Sequence, residues 1–334
     1  MAQSSAAASL RPVTPASSTR YDSSRRELHA PRMPSSSLGA LRTRPAYLPP
    51  SWVTHVNPEG AVYYVRSYSG IAVVTPACED MIDRWSQIER GIGAAYAAQG
   101  FVCEGRGHLE LYIELEEGTD TCGYYFVNHE TRAPFWIEDD LHADELQLPA
   151  FASISTIRLA LEEQYWLHAE RFPSHRPQRL SLRIPELISV FLHAKADQLT
   201  SNQSTFPFNA HITQQLIDLL GILQAKHGDL NGHDVGFVAR LWARITRYRY
   251  ESFYGESHSR SREQRILEHA PGYVELAWSF LVTLLFNIPE HYKMSLDGLW
   301  IDDLVSESRF RNFMAESLEE WKSFGISLSL TLLS

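Results

Sequence analysis

Cysteine is scarce in this chain. Its 334 residues hold three, Cys78, Cys103 and Cys122, and no CxxC pair. That excludes a disulfide framework and reads as a reducing, intracellular and cytoplasmic setting. Lysine is absent from residues 1–50, where seven arginines face only Asp22 and Glu27. The segment therefore carries +5 within a total of -10, and the remainder -15. An acidic body of this kind argues against nucleic acid as a partner, because phosphate neutralisation needs a basic face. Catalytic signatures are missing too: no GxSxG, HExxH, GxxxxGK[ST] or GxGxxG occurs. No cofactor is expected. Long apolar runs are also few. "VELAWSFLVTLLFNIP" contains Glu275 and is short of the roughly 20 residues a bilayer crossing needs, so it reads as a core helix.

The N-terminus has no secretory signal. It is Ser-rich, Arg-bearing and poor in acids, which also suits an organelle transit segment. Pro12, Pro15, Pro31, Pro34 and Pro45 argue against the amphipathic helix such a segment needs. Residues 1–46 therefore read as a disordered basic tail. Residues 47–77 hold short β-like runs, "SWVTHV" and "AVYYVRS", around the turn signal "NPEG". Residues 78–104 carry a connecting helix, with Met81, Trp85, Ile88 and Ile92 on one face. Residues 105–140 return to a β pattern. Residues 150–328 read as an all-α region of about six helices. The first stops before Pro173 and the second opens at Pro185. The last long one covers "LVSESRFRNFMAESLEEWKSF". The apolar end "FGISLSLTLLS" is either a packed tail or the first part of a membrane anchor. The expected fold class is α+β, mostly α, with two small antiparallel β modules packed with a multi-helix body.

"GYYFVNHETRAPFW" at 123–136 carries the sharpest signal. Alternating aromatics, a charged turn and a closing Trp136 fit a hairpin with aromatic cross-strand pairs, or a surface that grips proline. "LPPSWVTHVNPEGAVYYV" at 48–65 resembles the start of a WW domain through Leu48, Pro49, Trp52, the "PEG" turn, Tyr63 and Tyr64. "YYFVNHETRAPFW" resembles that family's middle and last strands through Tyr125, Phe126, Asn128, His129 and Trp136. The resemblance implies that Trp52, with Pro49, is a structural buckle. It implies that Tyr125 and Trp136 form a groove, with Val127, His129 and Arg132 lining a second pocket for PPxY-type ligands. Each copy is incomplete. The first has Val74 where the groove Trp belongs; the second lacks its buckle and should lean on a helix to complete a core. "RPAYLPP" at 44–50 is a candidate to occupy the groove of its own or another copy.

The helical segments at 161–173, 186–208 and 239–267 are similar to a group of fungal WW-domain-containing proteins, over about residues 48–310. Some members of that group continue into hydrophobic, membrane-like segments, so a membrane link is expected only through a longer C-terminus. The resemblance implies an architecture and no reaction. The other clusters carry less. His227, Asp229, His233 and Asp234 in "KHGDLNGHD" sit in a glycine-marked loop, and no metal site is expected there. Glu162, Glu163, Tyr165 and His168 read as a solvated helix face. The expected function is a non-enzymatic interaction module that binds proline-containing peptides weakly, with Kd on the order of micromolar. The alternatives are structural strands capping a helical scaffold, or a membrane-tethered adaptor.

Overall fold

The computed structural model describes residues 9–17, 48–76, 81–100, 107–116, 119–138, 141–143, 146, 153–176, 183–201, 206–226, 229–252 and 254–255, with short pieces between 300 and 322. The chain divides into two compact units, Met1–Thr200 with Ala210–Arg247, and Ser201–Asn209 with Tyr248–Ser334.

The first unit is built on one seven-stranded mixed sheet. Strands β2 (Val53–Val56), β3 (Val62–Tyr68) and β4 (Ile71–Pro76) form an antiparallel meander. Helix α1 (Met81–Ala98) follows. Strands β5 (Leu109–Leu115), β6 (Thr121–Asn128) and β7 (Ala133–Phe135) form a second meander. The fold class α+β holds. The two trios are not separate modules, however: β4 and β5 pair in parallel through Ala72–Glu110, Val73–Leu111 and Val74–Tyr112. A parallel pair needs a crossover, and α1 supplies it. Joining the trios turns two marginal sheets into one wide sheet that can bury both faces.

The "NPEG" turn forms as expected. The Asn57 side chain accepts from Ala61 N–H at 2.8 Å, and Gly60 takes a φ of 92° that a side chain would oppose. The N-terminus departs from expectation. Ser9–Pro12 is a strand, β1, paired in parallel with residues 121–124 of β6, and Pro15–Ser17 make a single 3-10 turn. The tail reading is corrected for residues 9–17. Prolines bar a helix but not an extended edge strand, where a missing N–H is tolerated.

Side chains of β5 alternate between two layers. Leu109, Leu111 and Ile113 join a core with Trp52, Tyr64, Trp85, Ile88, Ile92 and Phe126 on the α1 side. The predicted α1 stripe is buried there at Trp85, Ile88 and Ile92. Glu110 and Tyr112 face the other way, toward α2 (Ile154–Arg171). Helix α2 starts at a capping box between Ser153 and Thr156 and ends at Phe172, before Pro173. It is a middle layer: Tyr165 and His168 meet the sheet, while Trp166 stacks on Trp242 of α5 (Gly232–Glu251) at 5.5 Å. Helices α3 (Ile184–Thr200) and α4 (Ala210–Ala225) are the other two long helices among the described residues.

In the second unit the all-α expectation meets a two-residue ladder, β8 (Trp300–Ile301) with β9 (Leu304–Val305). The expected last helix therefore does not begin at Leu304. Most of that stretch, residues 273–287 and "FGISLSLTLLS" lie outside the described residues. Among the described residues no helix is long and apolar enough to cross a membrane.

Candidate functional site

The proposed groove residues are all described, and the structure separates them. Tyr125 on β6 faces α2 and is 1% exposed. Its ring stacks on Tyr112 at 4.5 Å, and its hydroxyl donates to His168 Nδ1 at 3.1 Å. Trp136 lies just past β7 and packs against the core on the α1 side. Its indole N–H donates to the Val13 carbonyl at 2.8 Å. The two rings therefore belong to opposite layers, and no slot forms between them. The eleven-residue spacing matches the family pattern, but the layers that cover each face are supplied by distant parts of the chain.

The second pocket is likewise occupied from within. Val127 is fully buried. His129 is held by Glu110 at 3.0 Å and by the Tyr165 hydroxyl at 3.3 Å. Arg132, at a positive φ of 55°, pairs with Glu162 of α2 at 3.2 Å. Asn128 caps the β6–β7 turn by accepting from the N–H groups of Glu130 and Thr131. The Glu162 to His168 stretch is not a solvated face: Glu162, Tyr165 and His168 are all buried.

Trp52, Tyr63 and Tyr64 of the first trio are buried. Trp52 is fully buried, and its N–H reaches the Pro49 carbonyl at 3.1 Å. Its main partner is not a proline, however. The ring lies 4.9 Å from Trp85 of α1, and the indole N–H donates to Glu89 at 3.3 Å. Tyr64 joins Trp85 on that side. Tyr63 points the other way, packs on Phe172 and accepts from Ser174 N–H at 2.8 Å, and burial pushes its hydroxyl up to about 12. The second trio, lacking a buckle, does lean on helices: α1 covers one face and α2 the other. "RPAYLPP" falls mostly outside the described residues, and Leu48 is part of the α1-side core.

What the structure assembles instead is a buried acid–base hub. Glu110 is fully buried. Its Oε1 accepts from His168 Nε2 and His175 Nε2, both at 3.1 Å. Its Oε2 accepts from His129 Nε2 at 3.0 Å and lies 3.2 Å from Arg176 Nε. Burial alone would raise its pKa. The facing imidazoles of His175 and His168, with hydrogen bonds from His129 and His168, outweigh that and hold the carboxyl well below the usual range. A carboxylate only accepts, so each Nε2 facing it carries a proton. The Tyr125 and Tyr165 hydroxyls meet Nδ1 of His168 and His129; His175 Nδ1 is buried and has no hydrogen-bond partner. Burial lowers His129 against the pull of Glu110, and burial then His175 lower His55. Burial raises Tyr125 and Tyr112 well above 10.

The sequence signals no role for Glu110 or His175, and it places His168 on a solvated helix face. "LELYIEL" reads only as β pattern, and tertiary packing alone reveals the layer above Glu110. Three imidazoles and a guanidinium share the one carboxylate. Among the described residues no group is arranged to hold a metal ion. In the "KHGDLNGHD" loop, Asp234 pairs with Lys226 at 2.7 Å and Asn231 caps α5, so these residues shape a helix start.

Compared with protein-family models, curated proteins and solved structures, the chain matches none. Its likeness to WW domains rests on the residue pattern alone.

Proposed function

We propose that this chain is a non-enzymatic protein-interaction scaffold, in which the two faces of the sheet are framework and recognition is left to its periphery. The observation that carries the reading is the environment of Tyr125. Its ring is 1% exposed, and its hydroxyl is bonded to His168 beneath α2. A peptide would have to displace a whole helix to reach it. The absence of chemistry follows the same logic. Glu110, His168 and Tyr125, the groups best suited to move a proton, are buried and bonded to each other beneath α2.

A proline-rich peptide array, read alongside thermal melting, tests this. Tyr125→Phe should lower the melting temperature and leave any peptide affinity unchanged. A PPxY-type peptide whose binding vanishes in Tyr125→Phe, at unchanged melting temperature, would restore the groove reading.

A further inference from the structure

The structure points to a second use for the far edge of the sheet: we propose that residues 121–124 of β6, with Gly123, Trp136 and Gln164, form a strand-addition seat that the chain's own residues 9–17 fill in cis. An external extended segment of the same chemistry can fill it in trans. Its partner is a protein segment with a basic residue followed by two prolines three apart around two β-branched residues.

The cis occupant shows what the seat reads. Residues 9–12 pair in parallel with residues 121–124, and Val13 N–H continues the ladder to the Tyr124 carbonyl at 3.1 Å. The Arg11 guanidinium pairs with Glu116. Trp136 donates its indole N–H to the Val13 carbonyl at 2.8 Å, and Gln164 of α2 accepts from Ala16 N–H at 2.9 Å. Val13 packs where β6 has no side chain: a Cβ on Gly123 would meet Val13 Cγ1 at 3.1 Å, and the flexible Glu114 side chain of β5 at the same distance. Val13, Thr14 and Pro15 are buried, whereas Ser9, Arg11, Ala16 and Ser17 are exposed. Backbone pairing supplies affinity, and alternate side chains supply selection, as in other strand additions.

Three features make the occupant exchangeable rather than integral. It is a four-residue strand at a sheet edge. Two of its six residues from Leu10 to Pro15 are prolines, which lack donors, so the ladder is thin. Thirty residues lie between Ser17 and Leu48 in the sequence, so no short connection ties the strand to the next one. Charge favours a basic occupant, since residues 1–50 carry +5 and the remainder -15. The cis segment acts as a tethered competitor, and tethering sets an effective concentration of order millimolar that a free partner must exceed.

Fluorescence anisotropy with a labelled peptide of residues 7–18 tests the proposal on the full chain. Val13→Asp should eject the cis strand and raise the affinity for the free peptide by about tenfold or more over the unsubstituted chain. Adding Gly123→Val should abolish that binding, and adding Trp136→Phe, which removes only the N–H donor, should weaken it severalfold. Tyr125→Phe should leave it unchanged, which separates this seat from the groove of the family pattern. No binding to a natively melting Val13→Asp chain, or equal binding to both chains, overturns the proposal. So does loss of cooperative melting in Val13→Asp, because the strand would then be integral. Hydrogen exchange on the unsubstituted chain gives an independent reading. Exchange of the Val13 amide and Trp136 indole well ahead of the β5 amides supports release of the strand; exchange together with them overturns it.

Discussion

The two faces of the same sheet are built on opposite principles. On the α1 side, Trp52, Tyr64, Trp85, Ile88, Leu111 and Phe126 make an apolar layer of indoles, rings and branched chains. On the α2 side, one strand position away, Glu110 sits at the centre of three histidines and an arginine, flanked by Tyr125 and Tyr165. The α1 face holds by area removed from water, which is tolerant of angle and indifferent to pH. The α2 face holds by matched donors and acceptors, which fix one geometry and depend on protonation. Neighbouring residues of β5, Glu110 and Leu111, sample both regimes with the backbone held constant.

Glu110→Gln should give the largest effect, a loss of about 3–5 kcal/mol, because it leaves Arg176 and three imidazole donors facing a neutral amide in a dry site. Urea titration measures it. Leu111→Ala on the opposite face should cost about 3 kcal/mol through lost transfer energy and a cavity. The comparison sharpens if the two are measured at several pH values. The Leu111→Ala difference should stay constant across pH, and the Glu110→Gln difference should shrink as acid is added. Equal pH responses in the two variants would mean that the two faces do not differ in kind.

The sign of that response follows from the shifts. Burial and His175 lower His55, and burial lowers His129, so the unfolded chain binds protons near the ordinary histidine value while the folded chain resists. Their contribution is complete above about 6.5 and is lost as pH falls through their lower folded values. Glu110 adds a second loss in the same direction, beginning below the usual carboxylate value of 4.5 and ending at its much lower folded value. The melting temperature should therefore fall monotonically from pH 7 toward pH 4, with the α2 side opening first. Amide exchange resolved by residue would show α2 losing protection before α1. A flat profile between pH 7 and 5 would contradict the histidine part.

Much of the α1 face was legible in the sequence. The Trp85, Ile88, Ile92 stripe is local, the "NPEG" turn is local, and Pro173 stops α2 where it stands. The α2 face was not, because its logic is not local. In "LELYIEL" the alternation is plain, but which face meets water depends on a helix that begins some 40 residues later. His168 and Glu162 look like a solvated helix surface until β5 and β7 are laid against them. Trp52, Tyr63 and Tyr64 are buried and Asn128 caps a turn, whereas Tyr125 and Trp136, expected as a pair, face opposite layers. Strand β1 was missed for a similar reason. Prolines were weighed against helix alone, and its partner β6 lies more than 100 residues away.

Tyr125→Phe is the smallest of these perturbations and the most discriminating. It removes one oxygen from a ring that is otherwise stacked on Tyr112, so packing on both sides is retained. What is lost is the donor to His168 Nδ1, leaving a buried acceptor unmatched at a cost of about 1–2 kcal/mol. The His168 imidazole bridges the two groups, with Nδ1 toward Tyr125 and Nε2 toward Glu110. A double-mutant cycle of Tyr125→Phe with Glu110→Gln, read by urea titration, should therefore give losses that depart from additivity by about 0.5 kcal/mol or more. Additive losses would make the α2 face a set of separate hydrogen bonds rather than one coupled network.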